Sequence, residues 1–85
     1  MVLSEAARIK RLLAAADNHD KAALRHDAAA QRWHDRGGME QAALERRGAE
    51  IERDAAQLDR DRAEFHGRGA DTLRPAGPAG RTSLP

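Results

Sequence analysis

Trp33-His34-Asp35-Arg36-Gly37-Gly38-Met39-Glu40-Gln41-Ala42 is the stretch whose reading decides the fold, because a glycine pair there breaks a long helical pattern. Glycine enters the left-handed backbone region without steric penalty and ends helices for that reason. Upstream, from Ser4 to Arg36, neither Pro nor Gly occurs. Ser4 is placed to cap that helix, and Glu5 in its first turn complements the helix dipole. Downstream, Met39 to about His66 reads as a second helix. Gly48 inside it costs ~1 kcal/mol relative to alanine, so a packing reason is expected there.

Positions equidistant from Gly37 match across the break. Ile9, Ala16, Ala23 and Ala30 recur every seven residues and fall opposite Phe65, Leu58, Ile51 and Leu44. Leu12, His19, His26 and Trp33 form a second column, opposite Arg62, Ala55, Gly48 and Gln41. Large residues opposite small ones are what an antiparallel seam needs to interdigitate. The pattern predicts an all-α, coiled-coil-like antiparallel two-helix hairpin, with helices at about 4–36 and 39–66 and a turn at 37–38. On this register Gly48 makes room for the His26 ring. Residues 67–85, rich in Gly, Pro and Arg, read as a disordered tail.

An 85-residue chain makes one small domain. Its only aromatic residues besides histidine are Trp33 and Phe65. Full burial of a large apolar side chain contributes ~1.5–3 kcal/mol, against ~1.5 kcal/mol of ordering entropy per residue. Two helices alone bury too little of that surface, so a homodimer of four-helix form is expected. Arg outnumbers Lys 13 to 2 and alanine is the commonest residue, a bias of GC-rich genomes and consistent with a small bacterial protein. The net charge of +1 does not by itself suggest nucleic acid. No cysteine occurs, so disulfides and thiolate chemistry are excluded. The apolar run Leu12 to Ala16 is far too short for a signal or membrane segment, and a cytoplasmic location is expected.

The histidines invite a metal reading. His19 and His26 lie seven residues apart, about 10.5 Å along a helix axis, too far for one ion with ligands at ~2 Å. They read instead as seam residues; a site completed across the seam by His19 and Asp54 is the minor alternative. No Ser or Thr has a placed base, and no glycine-rich phosphate loop follows a strand. The expectation is a non-enzymatic chain with no catalytic residue, cofactor or metal.

The flanks and outer stripes carry the interaction reading. On the seam register, Asp20 and Asp27 face Glu45, Glu52 and Asp59 and make an acidic edge of like charges. Ala42, Ala49, Ala56 and Ala63 form a smooth stripe beside it, where another helix could approach closely. These four alanines, with Glu45, Glu52 and Asp59, are the expected partner-binding residues, the partner being a second copy or another protein. Arg46, Arg53 and Arg60 line the back of the helix and, with the basic tail, offer the alternative, a small nucleic-acid-associated protein.

Two resemblances touch this stretch. Trp33, Gly37, Ala42 and Ala49 resemble the elbow of a single tetratricopeptide repeat, a family that stacks several shorter helix pairs. A Trp near the turn also resembles the small helical hairpins exported by type VII systems, which would imply secretion. Those carry Trp-x-Gly at the turn, whereas Trp33-His34-Asp35-Arg36-Gly37 is longer, and their tyrosine-acid export signal is absent here.

Overall fold

The computed structural model describes residues 4–72. Two helices pack against each other as an antiparallel hairpin, α1 (Glu5–Asp35) and α2 (Met39–Thr72). The Ser4 side chain accepts from the Ala7 amide at 3.0 Å, capping α1 as expected. At the other end Gly37 takes φ +81°, the left-handed value that a side chain disfavours. The Gly38 amide then donates to the Trp33 carbonyl at 2.8 Å and the Gly37 amide to the His34 carbonyl at 3.0 Å. These are the two bonds of a Schellman termination, so the glycine pair satisfies the last carbonyls of α1. Trp33 folds over the elbow, with Arg36 stacked 5.6 Å from its ring centre. The carbonyl of Gly38 accepts from the Ala42 amide at 2.9 Å, which starts α2.

Two expectations are corrected. α2 does not stop near His66 but continues to Thr72, through Gly67 and Gly69. The rest of the expected tail, 73–85, lies outside the described residues. The larger correction concerns which face of α2 looks inward. Ala42, Ala49, Ala56 and Ala63 are buried at 5% exposure or less, whereas Leu44, Ile51 and Phe65 are more than 60% exposed. The two columns lie roughly 160° apart around the helix, but the Gly48 and Ala55 column between them stays half-buried, so α2 is turned by roughly 80° from the expected orientation.

On α1 the expected inner column holds: Ala16, Ala23 and Ala30 are buried, and Leu12, His19, His26 and Trp33 are half-buried. The axial register holds too. A Cβ built on Gly48 would stand 3.0 Å from Nδ1 and Cε1 of the His26 ring. The core is therefore a run of alanine against alanine, with no large side chain fully buried. Small residues on both helices let the axes approach closely. Charged side chains beside the seam then reach across it.

Candidate interaction faces

Close approach of the helices sets up two polar flanks. On one, the column Glu45, Glu52, Asp59 meets the histidines of α1. His26 Nδ1 lies 2.7 Å from Glu45, and His19 Nδ1 lies 2.6 Å from Glu52. The other nitrogen of His19 is 3.7 Å from Asp59, a residue only 9% exposed that also lies 3.8 Å from Arg62. Near the open end His66 is 3.0 Å from Glu5 and sets its ring edge-on to Phe65, at 5.8 Å between centres. An open apolar depression beside it is lined by Arg8, Arg11, Leu12, Ala15 and His66.

On the other flank the arginine column meets the aspartates of α1. Arg53 donates to Asp27, and Arg60 donates to Asp20 and, at 3.5 Å, to Asp17. Hydrogen bonding to Asp27 first, then the charge of that carboxylate, raises the Arg53 pKa above its ordinary value; the Asp20 hydrogen bond does the same for Arg60. Both arginines are water-exposed, so screening keeps each pair weak.

These flanks explain the turn of α2. With Leu44, Ile51 and Leu58 inward, Asp20 and Asp27 would face the acidic column, like against like. With the alanines inward, histidine meets carboxylate on one side and arginine meets carboxylate on the other. The residues expected to receive a partner, Ala42, Ala49, Ala56, Ala63, Glu45, Glu52 and Asp59, are thus placed together, but inside the hairpin against α1. Of the nucleic-acid alternative, Arg53 and Arg60 are committed to aspartates; Arg46 stays exposed. Asp54 does not reach His19, whose acidic neighbours are Glu52 and Asp59. Among the described residues no group of three or more His, Asp or Glu is arranged to hold a metal ion.

What the inward alanines leave outside is the site that sequence reasoning placed in the seam. Leu44, Ile51, Leu58 and Phe65 stand in line along the back of α2, 48–64% exposed. The one sequence signal pointing this way is that histidines on α1 and carboxylates on α2 recur with the same seven-residue period. Beside the apolar line runs a charged column, Glu40, Arg47, Asp54, Asp61 and Arg68, offset by three or four residues and therefore adjacent on the helix surface. The side chains of Glu40, Arg47 and Asp54 have no hydrogen-bond or ion-pair partner among the described residues. No helix of the described residues is long and apolar enough to cross a membrane. No family model, curated protein or solved structure matches this chain.

Proposed function

We propose that the chain is a non-enzymatic protein–protein interaction module, an oligomerisation unit that buries the outer face of α2 against another helix. One observation carries this reading: four large apolar side chains, spaced by seven, lie exposed in one line on a hairpin whose own core is alanine. Covering the 48–64% of each that faces water would contribute on the order of 1–2 kcal/mol per side chain. Exposed apolar lines of this kind mark interaction surfaces. On α1 the exposed leucines, Leu13 and Leu24, are far apart by comparison. A cytoplasmic location belongs to the same proposal. Nucleic-acid binding gains less support, since two of its three arginines already bridge to α1.

Ile51 and Leu24 give a matched pair for testing it, at 62% and 64% exposure in the lone hairpin. In dilute protein, Ile51→Cys and Leu24→Cys should be alkylated at similar rates. In concentrated protein or in cells, Ile51→Cys should be protected severalfold and Leu24→Cys should not. Equal rates under all conditions would sink the proposal.

A further inference from the structure

We propose that the helix covering the outer face of α2 is α2 of a second copy of this chain, running antiparallel about a two-fold axis at Asp54. The inference rests on the reading of that face as an interaction surface and adds the occupant and its direction.

The outer face of α2 is self-complementary about its own middle. Arg47 and Asp61 are equidistant from Asp54, and so are Glu40 and Arg68. An antiparallel copy therefore sets Arg47 against the second copy's Asp61 and Arg68 against its Glu40, each contact occurring twice. The apolar line is symmetric about nearly the same point: Ile51 matches Leu58, and Leu44 matches Phe65, around the gap between Asp54 and Ala55. The columns on either side bring no like charges together. In one, Glu50 meets Gln57 and Ala43 meets Glu64; in the other, Gly48 meets Arg62 and Ala55 meets its own copy. The single unfavourable contact is Asp54 with itself on the axis. A parallel pair would instead set Arg47, Asp54 and Asp61 each against its own copy, which electrostatics disfavours.

Two further facts agree. The midpoint of α2 (Met39–Thr72) falls between Ala55 and Ala56, so a two-fold at Asp54 overlaps the helices over nearly their whole length. The side chains of Glu40, Arg47 and Asp54 make no hydrogen bond or ion pair with the described residues, unlike Arg53 and Arg60 on the inner flank. Glu40 and Arg47 are thus the charges free to pair with the second copy's Arg68 and Asp61, which within one chain meet only their exposed α2 neighbours Glu64 and Gln57.

Sedimentation equilibrium of the full chain should show a monomer–dimer equilibrium. Arg47→Asp should raise the dimer Kd severalfold, and adding Asp61→Arg to it should restore the native value. Asp54→Asn should tighten the dimer by relieving the contact on the axis. Direction is read with a short bismaleimide on cysteine variants. Arg47→Cys mixed with Asp61→Cys should crosslink, whereas Arg47→Cys alone should not, since its two copies would stand about 21 Å apart along the axis. Self-crosslinking of Arg47→Cys, with the mixed pair silent, would overturn the antiparallel arrangement while leaving the face an interaction surface. A chain monomeric at all accessible concentrations would overturn the second copy as occupant, and protection of Ile51→Cys in cells would then still speak for another partner. A dimer unaffected by Ile51→Ser with Leu58→Ser, helicity retained, would overturn both readings.

Discussion

The His26 ring fills the space that Gly48 leaves by having no side chain, with Cε1 and Nδ1 both 3.0 Å from where a Cβ would stand. The same Nδ1 is held 2.7 Å from Glu45, one turn earlier on α2, so the ring is clamped from both directions. In an unconstrained helix interior, Gly→Ala stabilises by ~1 kcal/mol. Here the new methyl would push the ring away from Glu45. Gly48→Ala is therefore expected to give little or no stabilisation in the native background and its full ~1 kcal/mol with His26→Ala. Urea unfolding of the four chains of that cycle checks it; equal gains in both backgrounds would mean the ring yields freely.

The alanine seam makes a second expectation that inverts the usual ranking of core and surface. Ala56 is fully buried between the helices, while Leu58, two residues on, is 48% exposed. Ala56→Leu should overpack the seam and cost ~1–3 kcal/mol. Leu58→Ala in dilute, monomeric protein should cost well under the ~2–5 kcal/mol of a core leucine. Unfolding must be followed at fixed low concentration, since association through the outer face would add to the Leu58 effect. The opposite ranking would return α2 to the orientation that periodicity alone suggests.

Asp59 is the most buried charged residue of the hairpin, and His19 at 3.7 Å and Arg62 at 3.8 Å are its two basic neighbours. Removing a partner from a buried charged group costs more than the pair contributes, because the remaining group stays out of water. His19→Ala is expected to destabilise by ~1–3 kcal/mol, and Asp59→Ala in that background should recover part of the loss. Strict additivity of the two changes would show that Asp59 is satisfied by Arg62 and water.

Much of this fold is legible in one dimension. The Gly37-Gly38 termination follows from backbone sterics, the Ser4 cap from a hydroxyl ahead of an unbroken helical stretch, and the inner column of α1 from a seven-residue period. The proximity of His26 and Gly48 follows from equal distances to the turn, because antiparallel helices of equal rise keep register with their connection. Where α2 ends is less legible: Gly67 and Gly69 lower helix propensity by only ~1 kcal/mol each, which a growing helix tolerates.

What only the tertiary structure decided is the rotation of α2. Two of its columns share the period of seven, one of alanine and one of Leu, Ile and Phe, and hydrophobicity favours the second as core. Periodicity sees each helix alone, whereas rotation is settled by both flanks of the contact at once. Turning the alanines inward brings the helices close enough for His19 and His26 to reach Glu52 and Glu45, and for Arg53 and Arg60 to reach Asp27 and Asp20. The other rotation would bury more carbon but set carboxylates against carboxylates. The hairpin closes on its small residues and its charges, and its large apolar residues are left facing outward.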